Sequence, residues 1–377
     1  MKIAIIGPEF PPSPGGEAEY AVQVARELSR RGHHVVVYSL QGNHGENENF
    51  EVRDVLSGHY LTDRIAIRDI ERADIVHILS AGWCWIGNVH QPTFLSIHGN
   101  DFINPNPVYG FDLKKRFRLP KGDRLDHWLA VRRTRSMMKR RLPAARRIFA
   151  NSGYTKEVFL QRYPACRGLV VKVGVGVASR FFDRPISRTE RSNPVRFLTV
   201  CRLSEPRKNV DIVLRAIASL KSEFAFTYTI VGEGTLRPQL QALADQLNVA
   251  DIVNFVGKAS DGELISYYHD SDLFVLPSSV LRTSFEGFGI VYLEANACGV
   301  PTLAARVGGA AEAVDDGVSG FFVEKPDVDS VRLCLRAFLT GEQKFNAERC
   351  RQFAEQFNWA QIVDKFERAY EAELEVR

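Results

Sequence analysis

The sequence predicts an α/β protein of two domains, each built on a doubly wound parallel sheet with helices on both faces. The chain has 377 residues, which is too long for one ordinary core and suits two domains of roughly 150 to 200 residues. Apolar runs of strand length alternate with segments of helical period. The runs are nearly continuous in Val, Ile and Leu, as in parallel strands buried on both faces. Two such Rossmann-like sheets face a central cleft at their carboxyl ends, where function is expected.

Six runs in the first half predict strands: KIAIIGP, HVVVYSL, ADIVHIL, PTFLSIHG, RIFANS and LVVKVGVGV. A helix is predicted over AEYAVQVARELSRRG, residues 18–32, because its apolar residues recur at intervals of three and four. The run nearest the amino terminus is too short for the apolar part of a secretory signal. The first half therefore has a βα order.

The pattern begins again after a polar segment. Strands are predicted at VRFLTVCRL, FTYTIVGEG, IVNFVG, LFVLPS, PTLAARVGG and SGFFVE, and helices at NVDIVLRAIASLK and LRPQLQALADQLN. Between the halves, DRPISRTERSNP at residues 183–194 is polar and holds two prolines, which is typical of a linker. We predict domains at residues 1–188 and 189–357, with a C-terminal helix at about 358–377 that packs back onto the first domain.

Composition narrows the function classes. The net charge of +4 is small for this length, so nucleic acid is not an expected partner. The six cysteines form no CxxC pair, which argues against metal sites and disulfide frameworks and favours a reducing cytoplasm. Residues 75–100 carry no charged residue, but polar residues, glycine and proline interrupt them. A buried strand, loop and strand is therefore preferred there to a membrane span.

Loops at predicted strand ends in the first half carry candidate residues. Gly15 and Gly16, in PPSPGGEAEY, follow the first strand and open the first helix. Bare amides at a helix N-terminus suit a phosphate, although a Gly-Gly pair there is also an ordinary tight turn. His98 and Asp101, in SIHGND, follow a predicted buried strand, where a histidine serves either catalysis or structure.

The loop VCRLSEPRKNVD, residues 200–211, places Arg202 just beyond a strand and Lys208 just before a helix. This geometry lets two cations converge on one anion. Solvated loop charges are the alternative. The position at the carboxyl end of a strand favours binding.

The stretch SFEGFGIVYLEANACGVPTLAA, residues 284–305, has Glu286 and Glu294 eight positions apart. If a helix begins near Phe288 or Gly289, this step covers roughly 12 Å along the axis and returns to within about 80° of the same face. The two acids would then contact two parts of one extended ligand. An acid cap with a partly buried salt bridge is the alternative for either glutamate alone.

These residues resemble the EX7E motif of the retaining glycosyltransferases of family 4, which have the GT-B fold. Further segments follow in the family's order over nearly the whole chain: PPSPGGEAEYAVQVARELSRRGHHV, IHGND, ANSGYTKE, VCRLSEPRKNVDIVLRAI, IVGEGTLRPQL, VNFVGKAS, DLFVLPS and DDGVSGFFVEKPD. The C-terminal half carries the more specific motifs. The resemblance implies a nucleoside-diphosphate sugar as donor.

The resemblance also implies a role for each candidate residue. Arg202 and Lys208 would bind the donor diphosphate, Glu286 would lie near the transferred hexose, and Glu294 would bind the ribose hydroxyls. The other assignments are Gly15 and Gly16 near the diphosphate and acceptor, the amides of Gly287, Phe288 and Gly289 on sugar and phosphate, His98 on the sugar, Asp101 on the acceptor side, and Gly257 and Lys258 along the base. Catalysis would rest on Glu286, Arg202, Lys208 and His98.

The chain departs from the family pattern at three positions. VGVGVASRFF has Val175 and Ala178 where the family often has asparagine and aspartate, and Cys201 stands where glycine is common. These departures concern details of the interdomain site and leave the diphosphate contacts in place.

The chemistry of the residues agrees with glycosyl transfer. When a nucleoside diphosphate leaves an anomeric carbon, Arg202, Lys208 and the helix start would stabilise the charge that develops on the phosphate. No metal ion or other cofactor is then required, and the acid-x-acid pair Asp270 and Asp272 is interpreted as a helix end and strand entry. Retention is implied by the family. Front-face attack with Glu286 as an orienting group is preferred to a double displacement.

The sequence therefore predicts a metal-independent hexosyltransferase with a UDP-linked donor, and GDP-mannose as the next candidate. The expected acceptor is a lipid-linked or phosphorylated glycan intermediate of cell-surface polysaccharide or glycolipid synthesis. Two alternatives stay open. They are a nucleotide-sugar-binding protein without turnover and a sugar-nucleotide epimerase of the same architecture.

Positive charge is concentrated in residues 114–147. This segment holds fourteen Lys or Arg against Asp123 and Asp126, a net charge of +12, which leaves −8 for the rest of a chain of net charge +4. Interleaved apolar residues such as Trp128 and Leu129 suit a surface helix on anionic lipid headgroups or a phosphorylated acceptor. A solvated basic face is one alternative, and nucleic-acid binding by this segment is another. The inner face of the membrane thus stays open as a location.

Overall fold

The computed structural model describes residues 1–12, 15–40, 49–87, 90–109, 123–186 and 191–375, with the backbone alone at 61 and 123–126. Contacts divide the chain into two compact units. The first unit is Met1–Val175 with Trp359–Arg377, and the second unit is Gly176–Asn358. The boundary predicted between residues 188 and 189 lies outside the described residues, whereas the second unit begins before it, at Gly176.

The first unit contains a parallel sheet of seven described strands in the order β3-β2-β1-β4-β5-β6-β7. They are β1 Lys2–Ile6, β2 His34–Ser39, β3 Glu51–Asp54, β4 Ile75–Ile78, β5 Thr93–Ile97, β6 Arg147–Ala150 and β7 Val170–Lys172. All six predicted strands are confirmed. β3 was not predicted, because its sequence EVRD offers only one apolar residue, Val52, to carry an alternating pattern.

Five described helices accompany this sheet before the second unit begins. They are α1 Gly16–Arg30, α2 Tyr60–Ala66, α3 Asn100–Ile103, α4 Asp123–Arg141 and α5 Gly153–Arg162. Helix α1 confirms the predicted helix at residues 18–32. Its buried stripe includes Tyr20, Val24 and Leu28, which recur every four residues along one face.

The second unit contains a parallel sheet of six strands in the order β10-β9-β8-β11-β12-β13. The strands are β8 Val195–Val200, β9 Phe226–Val231, β10 Val253–Gly257, β11 Leu273–Leu276, β12 Thr302–Ala305 and β13 Gly320–Val323. The helices are α6 Val210–Ala218, α7 Arg237–Gln246, α8 Asp261–His269, α9 Ile290–Ala297, α10 Val328–Thr340 and α11 Ala347–Glu355. The expectation of two doubly wound α/β domains is thus confirmed.

Each sheet has a point at which the strand order reverses. β1 lies between β2 and β4, and β8 lies between β9 and β11. Loops that leave the strands on either side of such a reversal diverge, and the crevice between them is where open α/β sheets bind ligands. In the second unit these are the loops after β8 and β11, which carry Arg202, Lys208 and Glu286.

The C-terminal helix, α12 Trp359–Glu375, belongs to the first unit. Its buried Tyr370 places a hydroxyl 2.6 Å from Nδ1 of His77 on β4. Trp359 packs edge to face on Tyr20 of α1, with ring centres 5.1 Å apart. The helix therefore contributes to the core of the first unit.

Candidate functional site

Two neighbouring loops of the second unit form the candidate site. The loop after β8 contains a 3-10 turn, Pro206–Lys208, which ends at Asn209 in the left-handed conformation (φ 56°). The side-chain amide nitrogen of Asn209, Nδ2, donates to the carbonyl of Pro277 (2.6 Å) and to Oγ of Ser279 (2.7 Å), both in the loop after β11. A buried amide group is thus satisfied by the facing loop, which holds the two loops together.

The carboxylate of Glu286 joins the same loops through charge. Its Oε2 accepts hydrogen bonds from Nζ of Lys208 (2.6 Å) and Nη1 of Arg207 (3.0 Å). All three side chains are at most 12% exposed. Burial by itself raises the pKa of Glu286, but the charges and hydrogen bonds of Lys208 and Arg207 outweigh it and hold this pKa at about 2. Glu286 is therefore ionised at physiological pH.

Arg207 is a site residue that the sequence did not reveal. Its Nε donates to Oγ of Ser284 (2.9 Å), and its guanidinium also pairs with Glu205 (2.5 Å). Burial lowers the pKa of Arg207, but the charges of Glu286 and Glu205 outweigh this effect and raise it. The available signal was Pro206, because a proline favours a tight turn at this point of the loop, next to the two basic residues.

Arg202 and Lys208, predicted as a pair, line a common cavity of about 250 Å³. Its other walls include Asp211 and two leucines of α7, Leu240 and Leu243. The second cation that contacts Glu286, however, is Arg207 and not Arg202. This loop therefore carries three basic residues. Arg207 and Lys208 contact the carboxylate of Glu286, and Arg202 and Lys208 line the cavity.

Helix α9 begins at Ile290 and is capped by Gly289 (φ 89°), close to the predicted start. Glu286 lies in the preceding loop, so the regular helical step assumed between the two glutamates does not apply. This loop is held by Gly309, whose N–H donates to the carbonyl of Glu286 (2.8 Å). A Cβ at position 309 would overlap the carbonyl oxygen of Gly287, so only glycine permits this approach.

Glu294 lies in α9 itself and is 6% exposed. It accepts a hydrogen bond from the hydroxyl of Tyr268 on α8 (2.9 Å). Burial and the nearby carboxylate raise the pKa of Tyr268 well above its ordinary value, so the hydroxyl remains a donor. Gly257 and the exposed Lys258 lie at the carboxyl end of β10, the edge strand of the same sheet.

The first unit presents its own candidate residues at the carboxyl ends of β1 and β5. Gly15 (φ 134°) caps α1 and Gly16 is the first residue of that helix. His98 follows β5, and its ring lies edge to face against Tyr20 with centres 4.5 Å apart. Burial lowers the pKa of His98 despite the opposing charge of Asp101, so the imidazole is neutral at physiological pH. Its Nε2 is buried with no hydrogen-bond partner in the described part of the chain.

Asp101 is buried and acts on the backbone around His98. Its carboxylate accepts hydrogen bonds from the N–H groups of His98 (2.9 Å), Gly99 (2.7 Å) and Ala81 (2.9 Å). These contacts hold the strand end in one conformation. The sequence had suggested an acceptor-side position for Asp101 and gave no sign of these amide contacts.

Among the residues that the structure describes, no group of three or more His, Cys, Asp or Glu is placed to hold a metal ion. Asp272 accepts hydrogen bonds from the N–H groups of Ser192 (2.9 Å) and Arg196 (2.8 Å), which ties it to the backbone that enters β8. None of the described helices has the length and apolar character needed to cross a membrane.

Known proteins resemble the chain over both halves. Residues 14–178 match the profile of Glycosyltransferase Family 4, and residues 183–357 match that of Glycosyl transferases group 1. A D-inositol 3-phosphate glycosyltransferase of Mycolicibacterium smegmatis is 26% identical over 386 residues, which span 94% of this chain and 86% of the relative. A GDP-mannose-dependent phosphatidylinositol monomannoside mannosyltransferase of the same organism is 41% identical over 142 residues, 37% of each chain. Sucrose-phosphate synthase from Thermosynechococcus elongatus has the same fold, with a TM-score of 0.77, 18% identity and full coverage of both chains.

Two parallel-sheet units that match known GT-B structures define the class of this protein as a GT-B glycosyltransferase. Within that class the chain belongs to the group 1 and family 4 type, since the two profiles together cover residues 14–178 and 183–357.

We expect Glu286→Gln to lower stability at neutral pH, because it leaves the buried Arg207 and Lys208 without their counter-ion. The folded-state pKa of Glu286 is depressed, so its carboxylate stabilises the fold above about pH 4.5, and this contribution is lost as the pH falls to about 2. The gap in free energy of unfolding between wild type and variant should therefore narrow across that window in urea denaturation. Glu348→Gln, at an exposed position of α11, is the control. A gap that stays constant down to pH 2 would contradict the ion-pair assignment.

Proposed function

We propose that this glycosyltransferase moves a hexose from a nucleoside-diphosphate sugar to an acceptor with retention of configuration and without a metal ion. The observation that carries the proposal is the buried Glu286 carboxylate on Lys208 and Arg207, at the strand-order reversal of the second sheet. Preformed charges at such a crevice suit a diphosphate and a reacting sugar. The spacing of Glu286 and Glu294 also fits the EX7E pattern of retaining family 4 enzymes.

The donor diphosphate is assigned to Arg202 and Lys208, which line one cavity, and to the amides of Gly15 and Gly16 at the start of α1. An ammonium group has three N–H donors, and Glu286 takes one from Lys208. Lys208 can therefore contact a phosphate oxygen while it keeps the carboxylate in place. The start of α9, with the backbone amides of Gly287, Phe288 and Gly289 before it, adds a positive dipole near the leaving group.

Glu286 is assigned to the transferred sugar. With a pKa of about 2 it carries no proton to donate at neutral pH, so its role is to orient the sugar and to stabilise the positive charge that develops on the anomeric carbon. The acceptor then attacks from the same face as the departing phosphate. His98 is neutral, and its Nε2 has no hydrogen-bond partner among the described residues, so His98 is assigned to a hydroxyl of the transferred sugar. Asp101, which accepts from the N–H of His98, is assigned to the acceptor side.

The nucleoside is assigned to Glu294 and to the end of β10. One carboxylate group can accept several hydrogen bonds, and Glu294, which accepts one from Tyr268, is proposed to accept others from the ribose hydroxyls. Gly257 and Lys258 would lie along the base. A UDP-linked hexose is the proposed donor, and GDP-mannose is its competitor, because the name of the mannosyltransferase from Mycolicibacterium smegmatis states that donor.

The acceptor is proposed to carry a phosphate or a lipid. Two relatives are named for D-inositol 3-phosphate and for phosphatidylinositol monomannoside, and α4 presents a basic and apolar surface. On this helix Trp128 is 51% exposed and Leu129 is 45% exposed, and the guanidinium of Arg132 lies 4.7 Å from the centre of the Trp128 ring. We assign this surface to the inner face of an anionic membrane. Residues 114–122 of the basic segment lie outside the described residues.

Nucleotide binding identifies the donor. At 100 times its dissociation constant a ligand stabilises the folded state by about 2.7 kcal/mol, so the matching nucleotide should raise the melting temperature clearly in a screen of UDP, GDP and ADP. UDP is expected to give the largest shift. A shift from GDP alone would replace the proposed donor, and no shift from any nucleotide would contradict the site.

Turnover tests the assigned residues. Loss of a charged group that stabilises the leaving group should reduce kcat by about 10²- to 10³-fold, so Arg202→Ala and Lys208→Ala are expected to do so with the donor identified above. Glu286→Gln should also reduce kcat, through the sugar. Arg215→Ala, at an exposed position of α6, is the matched control and should keep turnover within twofold. Unchanged turnover in the three site variants would exclude this site.

Vesicle flotation tests the membrane assignment. Wild type should float with vesicles of phosphatidylglycerol and phosphatidylcholine at low salt and less at high salt, because the attraction is screened. Trp128→Ser with Leu129→Ser should reduce the bound fraction at least fivefold. Leu333→Ser, at an apolar position of α10 that is 56% exposed, is the control. Absence of flotation at any salt concentration would exclude membrane association.

A further inference from the structure

A second cavity lies in the first unit, between α2, α4 and the 3-10 helix Ala81–Gly87. It has a volume of about 430 Å³ and is lined by Tyr60, Trp85, Met137, Arg140 and Arg141. This volume falls within the range of about 300 to 1,000 Å³ that small-molecule sites occupy. The roles assigned above to donor binding and sugar transfer use none of these residues, although Met137, Arg140 and Arg141 belong to the basic segment 114–147.

The strongly polar groups of this lining all favour donation of hydrogen bonds. The guanidinium groups of Arg140 and Arg141 donate and never accept, and the indole Nε1 of Trp85 is also a donor only. Trp85 is 2% exposed, and its Nε1 has no acceptor among the described residues. The hydroxyl of Tyr60 accepts a hydrogen bond from Arg64 (3.1 Å), so this hydroxyl can still donate its own proton to a ligand. A lining of this kind is complementary to an anion rich in acceptor oxygens.

Aromatic faces form the other part of the cavity. The rings of Tyr60 and Trp85 lie 5.1 Å apart at an angle of 48°, and Trp83 packs behind Trp85 with ring centres 5.9 Å apart. Such surfaces contact the flat or apolar face of a ring-shaped group. The lining of the cavity thus combines two guanidinium groups with two aromatic rings.

The two arginines of the cavity lie away from the carboxyl edge of the sheet, where Gly15 and His98 lie. Arg140 and Arg141 occupy the last turn of α4. The chain then reaches Arg146, whose N–H donates to the carbonyl of Thr93 at the beginning of β5 (2.8 Å). The last turn of α4 is therefore directed towards the amino edge of the sheet. A phosphoryl group bound to Arg140 and Arg141 would therefore lie away from Gly15 and His98.

Basic residues in the last turn of a helix also stabilise the helix dipole, and this effect explains the presence of Arg140 and Arg141 in part. It does not require a cavity with two aromatic walls beside them. It also does not account for the buried indole N–H of Trp85, which has no acceptor in the described part of the chain. A bound anion would account for both features.

We propose that this cavity binds a phosphorylated ligand, with its phosphoryl group on Arg140 and Arg141 and a ring against Tyr60 and Trp85. A phosphate monoester carries about −1.5 to −2 charges at neutral pH and presents only strong acceptor oxygens, and arginine binds it in a bidentate manner. A soluble sugar phosphate and a phosphorylated lipid headgroup share this chemistry. The site is independent of donor binding in the second unit.

Binding to the full chain tests the proposal without an activity assay. Isothermal titration with glucose 6-phosphate, and flotation with phosphatidylcholine vesicles that contain phosphatidylinositol 4-phosphate, address the two sources. At least one probe should bind, and glucose or phosphatidylcholine alone should not. Arg140→Gln with Arg141→Gln should weaken binding at least tenfold. Arg215→Gln with Arg349→Gln removes the same charge from exposed positions of α6 and α11 in the second unit and should change affinity less than twofold.

Tyr60→Phe provides a milder variant, because it keeps the ring and removes one donor, and it should weaken binding about threefold or more with an unchanged melting temperature. Saturation with UDP or GDP should leave the affinity unchanged, which separates this site from the proposed transfer site. The proposal is overturned if neither probe binds, if both arginine pairs weaken binding equally, or if the nucleotide displaces the probe.

Discussion

The ion cluster around Glu286 is the interaction on which the candidate site depends. Moving charged groups into a protein interior costs several kcal/mol for each ion, and a buried pair recovers this cost only when its hydrogen bonds are well made. Here Arg207 donates to Glu286 and Ser284 and pairs with Glu205, so most of its donor capacity is used within the protein. Lys208 gives one bond to Glu286. Arg207 therefore fixes the carboxylate, and Lys208 is the cation suited to hold the carboxylate and an external anion together.

The strand order of the second sheet explains why these charges meet. β8 and β11 are neighbours in the sheet although β9 and β10 separate them in the chain, so the loops that follow them open at the same edge. One loop brings Lys208 and the other brings Glu286, 78 positions later. The bridging amide of Asn209 keeps the loops in register, and this removes the need to order them when a ligand arrives.

The amino-acid pattern predicted the parts of this architecture that hydrophobic burial determines. The six apolar runs of each half became strands, because continuous Val, Ile and Leu segments have few other ways to be buried. β3 was not predicted, because its sequence EVRD contains no such apolar run. The candidate site was predicted by residue type and place, but its contacts were not. Three features were missed: the contact of Arg207 with Glu286, the loop position of Glu286 and the amide contacts of Asp101. They depend on which atoms face each other across separate elements, and residue spacing along the chain does not reveal this.

Backbone packing at glycine explains how the loops acquire their rigidity. A Cβ at Gly232 or Gly234, in the turn after β9, would overlap the backbone of Cys201 and Leu203 on either side of Arg202. Gly309 packs in the same way on Gly287, beside Glu286. Each charged loop thus rests on a neighbouring turn at a distance that only a hydrogen atom permits. Electrostatic stabilisation of a transition state is most effective when the charges need no reorganisation during the reaction. Glycine in these turns therefore lets the backbones of neighbouring loops pack in direct contact, and this packing keeps the charged loops rigid.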